Sequence, residues 1–356
     1  MQACVGEDVR PSLGSAPTDA GGWDTSSGGP ATSDDASTTG DGSGSNDAES
    51  EAGADAGADA VAPPPPSCAG LGATCGTESP PRDCCQSLPI DGGAFHRAYD
   101  GVVGDPFNST AYPAEIASFK LDTFEVTVAR FRNFLEGYPG NLPKEGAGRN
   151  PNDPSDPGWR AAWSSDRARI PPTAADTVSV AGYCQTYRTY TDAPGANEYK
   201  PINCINWYVA YAFCIWDGGR LPTNAELNYA AAGGSLQRAY PWSDPSTSTA
   251  ITTTHAVWGT WQLANVGSYP AGVGAFGQFD LSGNVAELTS DRGRAVQYPI
   301  PCVNCANHDD GTAVDTQVSV RGGSAMSVEK LYLRNGSSVA QPANSAMHDS
   351  GVRCAR

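Results

Sequence analysis

Basic residues are scarce in this chain. Its 356 residues include 22 lysines and arginines against 39 aspartates and glutamates, and only Lys120, Lys144, Lys200 and Lys330 are lysines. A net charge of −17 repels phosphate backbones, which excludes nucleic acid as a partner. Long apolar runs are also missing: no stretch of about 18 such residues occurs, so no segment reads as a membrane-spanning helix. Histidine is limited to His96, His255, His308 and His348. They are widely spaced with no H-x-x-x-H pair, which argues against a facial iron site. Neither an internal repeat nor a regular alternation of strands with helices is visible, so a doubly wound sheet is not expected.

Cysteine, by contrast, is plentiful. Eleven cysteines in a lysine-poor chain point to disulfides formed in an oxidising compartment, and hence to an exported protein of the bacterial cell envelope or exterior. Zinc is the rival reading for the C-x-x-C of Cys302 and Cys305, but no second pair of matching spacing accompanies it. The opening "MQACVGED" resembles the end of a bacterial lipoprotein signal, whose cysteine takes the lipid. Cys4 is therefore the expected lipidation site, and the lipid the only expected contact with a membrane. Removing Cys4 leaves ten cysteines, an even set for pairing.

Three regions follow along the chain. Residues 1–66 carry 12 acids against Arg10 alone and end in "APPPP". Too little apolar surface is present to offset ordering entropy, so this reads as an acidic tether. Residues 67–93 hold Cys68, Cys75, Cys84 and Cys85 and need covalent staples. Three pairings are open, and we expect the crossed one, Cys68 with Cys84 and Cys75 with Cys85. Residues 94–356 are globular, with three arguable helices. "EVTVARFRNFLEGY" sets Val128, Phe131, Phe134 and Leu135 on one face behind a Thr127 cap. "NWYVAYAFCIWDGG" sets Trp207, Ala210, Tyr211, Cys214 and Ile215 on one face and stops at Gly218 and Gly219. "PTNAELNYAAAGG" carries a capping box of Thr223 and Glu226. The remainder is short β-branched or aromatic runs between Gly, Pro, Asn, Asp and Ser. The class is α+β, with short strands, few helices and much irregular loop.

Five stretches in order, "FEVTVARFRNFL", "PINCINWYVAYAFCIWDGGRLPTNAELNYAAAGG" with "YPWSD", "VGSYPAGVGAFGQFDLSGNVAELTSD", "VRGGSAMS" and the terminal "GVRCAR", resemble the formylglycine-generating enzymes, or sulfatase-modifying factors. The resemblance covers most of residues 94–356. It implies a modified C-type-lectin-like fold and a disulfide between Cys214 and Cys354. Cys184 with Cys204, and Cys302 with Cys305, are expected as local additions. A second family disulfide is lost, because "YAAAGG" has alanine where the family has cysteine.

The resemblance also implies structural calcium at "DLSGNVAE", held by the side chains of Asp280 and Glu287 and the carbonyls of Gly283 and Val285. Hard oxygens at a tight turn suit that cation. A second family calcium site needs an asparagine where Ala256 stands. In active family members the loop after "RGGS" carries two cysteines that bind copper(I), which activates oxygen to oxidise a sulfatase cysteine. Here those positions are Ser327 and Tyr332, and hydroxyls do not suit copper(I). Copper is therefore not expected. The expected function is a non-catalytic surface module binding a peptide, protein or glycan in a cleft lined by Ser324, Ser327, Tyr332 and Arg334. The alternative is an oxidase of the family type with a metal site relocated to Cys302 and Cys305. His348 and Asp349 are expected as a surface pair.

Overall fold

The computed structural model describes residues 64–71, 74–179, 181–293, 298–308 and 316–356. Cys4 and nearly all of the expected tether lie outside the described residues.

Helices begin where a side chain meets an orphan amide. In α1 (Val128–Glu136) the Thr127 hydroxyl accepts the Arg130 N–H at 3.3 Å. After three four-residue turns, α2 (Ala161–Ser164), α3 (Ala174–Thr177) and α4 (Cys184–Tyr187), the Asn206 side-chain Oδ1 caps α5 (Trp207–Trp216) by accepting the Val209 N–H at 2.9 Å. The capping box of α6 (Asn224–Ala232) is complete. Thr223 accepts from the Glu226 N–H, Glu226 accepts from the Thr223 N–H, and Gly233 ends the helix at φ 67°. Each cap stabilises its helix by about 1 kcal/mol.

The one-sided stripe expected for α5 is corrected: Trp207 through Cys214 are all buried. The helix runs through the middle of the main core. Phe131 and Phe134 of α1 pack on Phe213, Trp163 meets Trp207 edge-on, and Leu288, Val318 and Val320 belong to the same cluster.

Those last residues come from a four-stranded sheet. β7 (Ala286–Arg292) lies antiparallel to β8 (Gln317–Arg321), and β8 antiparallel to β9 (Ser338–Pro342). β10 (Ser350–Gly351) adds to β7 in parallel. Alternation along β8 gives it two buried faces. Val318 and Val320 join the apolar core, whereas Ser319 and Arg321 bond to Asn224 at the start of α6.

Two ribbons complete the domain, β3 (Ser87–Ile90) with β6 (Phe119–Asp122) and β4 (Gly93–His96) with β5 (Pro113–Ile116). The boundary expected at residue 93 separates β3 from its partner β6. Residues 67–93 instead pack as part of the same unit: Ser67 donates its N–H to Asp217 and accepts from Arg130, and Cys75 and Cys84 cluster with Phe124 and Phe279.

The disulfides of this segment correct the crossed pairing. They are nested, Cys68–Cys85 and Cys75–Cys84. The reason is a small antiparallel ribbon of β1 (Thr74–Cys75) and β2 (Arg82–Asp83), which pairs Cys75 with Arg82 and Thr74 with Asp83; Cys84, just past β2, comes within 4.8 Å of Cys75 between Cα atoms and Cys85 is left to Cys68. Cys184–Cys204, Cys214–Cys354 and Cys302–Cys305 are also joined.

Candidate functional site

The "RGG" that ends β8 can only be glycine at its last two positions. Gly322 and Gly323 stand at φ 87° and 63°. A Cβ would lie 2.8 Å from the Leu281 carbonyl oxygen at the first and 2.9 Å from the Tyr332 carbonyl oxygen at the second. The chain therefore turns sharply off the sheet and folds back as a loop over it. Ser327 Oγ accepts the Ser324 N–H at 3.0 Å, and Ser324 Oγ accepts the Met326 N–H at 3.2 Å. Both hydroxyls thus close the loop on itself.

Between this loop and strands β7 to β10 lies a cleft of about 350 Å³. Ser324, Ser327 and Tyr332 line it. Arg334, expected beside them, does not. It is buried, with Nη2 on Asp100 at 2.6 Å and Nη1 on Asp105 at 2.9 Å, because two carboxylates more than 200 residues away in sequence draw it inward. The expected surface pair is also divided. Asp349 lines the cleft, while His348 stacks among Tyr183, Tyr187 and Trp261.

Arg321, Gln341, Met326 and Met347 are among the further lining residues not singled out from sequence. Arg321 is fixed by Asn224, by the carbonyls of Asn335 and Ser337, and by the Tyr298 hydroxyl. Burial pushes its guanidinium below the usual range. Gln341 Oε1 accepts from Ser350 Oγ at 2.6 Å, but its Nε2 is buried with no partner. A donor left unpaired at a cleft wall invites a ligand oxygen. Two of the lining residues, Tyr332 (45% exposed) and Val328 (68% exposed), are exposed. Trp261, whose main-chain N–H donates to the Ala325 carbonyl, does not line the cleft. No cysteine or histidine lines the cleft among the described residues.

The turn at "DLSGNVAE" places its acids under this loop. Arg353 grips Glu287, with Nε 3.0 and 3.1 Å from the two carboxylate oxygens and Nη2 at 2.7 Å. Asp280 Oδ2 accepts the Gly267 N–H at 2.6 Å. Glu125 accepts from Asn284 Nδ2 and the Val285 N–H. All three carboxyls are buried. Burial pushes Asp280 up to about 6, and burial together with Asp280 and Glu287 drives Glu125 well above the usual range. Burial raises Glu287 too, against the pull of Arg353. Three carboxylates thus face one guanidinium. Among the described residues no group of three or more His, Cys, Asp or Glu side chains is disposed to hold a metal ion, so any cation here would depend on backbone carbonyls as well.

Cys302 and Cys305 are joined to each other and neither lines the cleft. As they stand they offer no thiolate pair for copper(I).

Comparison with known proteins matches residues 76–356 to the sulfatase-modifying factor enzyme 1-like domain. The hercynine oxygenase of Mycolicibacterium smegmatis is 27% identical over 210 residues, 57% of this chain and 45% of that protein. The formylglycine-generating enzyme of Thermomonospora curvata is 31% identical over 181 residues, 46% and 57% respectively. A protein of Bos taurus named inactive C-alpha-formylglycine-generating enzyme 2 is 26% identical over 296 residues, 75% and 87%. The chain spans about half the length of the first curated relatives it matches. Among solved structures, PvdO from Pseudomonas aeruginosa aligns with TM-score 0.51 and 20% identity over 76% of this chain and 93% of that one, a likeness of fold.

Proposed function

Because the chain belongs to the sulfatase-modifying factor enzyme 1-like family, we propose that it keeps the family fold as a binding scaffold: an exported module, lipid-anchored through Cys4, that takes a peptide or glycan in the cleft under the "RGGSAMS" loop. One observation carries this reading. Ser327 and Tyr332 stand where active relatives are expected to have copper-binding cysteines, and the Ser327 hydroxyl is spent on the loop's own Ser324 N–H. The cleft nonetheless keeps features of a binding site: the unpaired Gln341 amide, Asp349, and the exposed side chains of Tyr332 and Val328. Aromatic faces supply large contact area at low entropic cost, and the orphan donor supplies orientation.

The decisive assay gives the full chain copper(I), oxygen, a thiol reductant and a sulfatase-type cysteine peptide, and follows peptide mass with time. No conversion above a no-protein control is expected. Conversion would establish the oxidase reading instead. In parallel, peptide and glycan arrays probed with the chain and with Gln341→Leu are expected to give shared ligands that the variant binds about tenfold more weakly.

Calcium at the "DLSGNVAE" turn is part of the same proposal. The excess of buried negative charge around Arg353 favours a cation, held by Asp280, Glu287 and the carbonyls of Gly283 and Val285. Such a cation would share Glu287 with Arg353 and add rigidity beneath the loop. Thermal unfolding in millimolar calcium against a chelator checks this directly. Binding at about 100 times Kd adds about 2.7 kcal/mol, whereas coincident transitions would leave the carboxylates to Arg353 and protons alone.

A further inference from the structure

Beside the cleft the chain gathers aromatic rings from three distant segments. Tyr183 and Tyr187 stand at the two ends of α4, Trp261 lies in an exposed loop, and His348 falls between two cleft residues, Met347 and Asp349. Between centroids His348 is 4.9, 5.8 and 6.3 Å from Tyr183, Tyr187 and Trp261, at interplanar angles of 31°, 36° and 21°. Tyr187 lies 5.8 Å from Trp261. No pair is edge-on, so the rings keep roughly one orientation. Tyr183 and Trp261 are 66% and 41% exposed.

The arrangement is locked from beneath. Cys184–Cys204 pins α4, and the buried Asn203 donates through Nδ2 to the carbonyls of both Tyr187 and His348, at 2.9 and 2.6 Å. Trp261 sits at φ 57°, left-handed backbone that a bulky side chain rarely adopts. A strained turn that holds a large ring out to solvent does not stabilise the fold, which leaves recognition as its use. Elsewhere the chain covers half-buried rings with its own cations: Arg132 over Tyr190, Arg97 over Tyr298 and Lys330 over Trp258. Among the described residues no cation covers these four rings, and the Tyr183 and Tyr187 hydroxyls and Trp261 Nε1 have no hydrogen-bond partner.

A cage for a quaternary ammonium needs a gap between rings, and these rings touch. An apolar peptide side chain needs a pocket, and none of the four rings lines the cleft. Ring faces edged by free polar tips suit instead the C–H face and peripheral hydroxyls of a pyranose. The cleft has matching chemistry. Among the described residues the Asp349 carboxylate has neither a donor nor a cation, and Gln341 Nε2 has no acceptor. A hydroxyl both donates and accepts, so sugar hydroxyls satisfy the two together, whereas an acidic sugar would be repelled by Asp349. Rings and cleft are also contiguous. Trp261 bonds to Ala325, between the lining residues Ser324 and Met326, and Tyr187 packs on the cluster that contains Met326.

We propose that the ligand of the cleft is a neutral oligosaccharide whose adjoining sugars stack on Tyr183, Tyr187, Trp261 and His348. This rests on the reading of the cleft as a binding site and commits it to a glycan. The test titrates the full chain calorimetrically with cellohexaose, laminarihexaose, xylohexaose and hexa-N-acetylchitohexaose. At least one is expected to bind at one per chain and to shift the tryptophan emission. Trp261→Ala should weaken that sugar about tenfold and Tyr183→Ala about threefold, with Trp261→Phe close to the parent. Gln341→Leu, at the cleft end of the same ligand, should weaken it as well. Both ring positions are exposed, so thermal unfolding of these variants should match the parent. Affinity that falls in Gln341→Leu but in neither ring variant would overturn the proposal and leave the cleft as the whole site. Binding of array peptides and of none of the four sugars would do the same. Loss in the ring variants with Gln341→Leu at the parent affinity would break the link to the cleft and overturn it too. If neither sugars nor peptides bind, the reading of the cleft falls with it.

Discussion

Arg353→Met is expected to lower the unfolding free energy at pH 7 by about 3–5 kcal/mol, the cost of removing one partner of a buried ion pair. The guanidinium makes three contacts with Glu287 and also donates to the carbonyls of Asp122, Thr123 and Phe279. Methionine fills much of the volume and satisfies none of these acceptors. In calcium-free solution it also leaves Glu125, Asp280 and Glu287 buried together without a counter-charge. The loss should therefore shrink as those carboxyls take up protons. The sign follows from the direction of the shifts. A carboxyl whose folded pKa is raised contributes stability that is complete below its unfolded pKa, near 4, and disappears as pH rises through the folded value, about 6 for Asp280.

The deficit of the variant should accordingly be smaller at pH 5 than at pH 8. The parent should itself lose stability from pH 4 to 7, by an amount on the order of 3 kcal/mol for Asp280, and Asp280→Asn should flatten that slope. Asp122 works outside this window. Burial pushes it up, but Arg130 and Arg356 outweigh burial and hold it below the usual range, so its contribution is lost only at more acidic pH. Denaturant unfolding of the three proteins at pH 5, 6, 7 and 8 measures all of this. A pH-independent deficit in Arg353→Met would mean that the carboxylates find another partner.

What the sequence made legible was local. Thr127, Thr223 and Glu226 act within three or four residues of themselves, and the structure has those caps where the pattern put them. The turn after "RGG" is equally local, because two left-handed glycines and two serines close it without outside help. The misreadings concern pairs joined across the fold. Arg334 turns away from the cleft to meet Asp100 and Asp105, and no periodicity marks that. Gln341 and Asp349 reach the cleft only because β9 and β10 flank β8 and β7. The one-sided reading of α5 failed because apolar residues surround the helix, and a periodic pattern cannot distinguish a wide stripe from complete burial. The nested staples needed the register of a four-residue ribbon.

Replacing both Cys214 and Cys354 with alanine is the other change expected to act strongly. Their bond joins α5 to the last turn of the chain across 140 residues, and closing a loop of that size constrains the unfolded chain by about 5 kcal/mol, the upper end of what a disulfide supplies. Both sulfurs are fully buried, so the pair of alanines adds a small packing loss. The end of the chain is also stitched by backbone bonds. The Val126, Asp122 and Lys120 N–H groups donate to the carbonyls of Val352, Cys354 and Arg356, and Arg220 and Ala355 exchange two bonds. A folded state with a correct terminal segment should therefore persist, at a loss of about 2–5 kcal/mol. Arg353 neighbours Cys354, so the disulfide also helps to hold the guanidinium on Glu287. Combining the alanines with Arg353→Met should then cost less than the two losses added, with a coupling of about 1 kcal/mol or more, as expected for sites in one network. Strict additivity would show that the ladder alone positions Arg353. The same denaturant series, run on the parent, both variants and the combination, separates those outcomes.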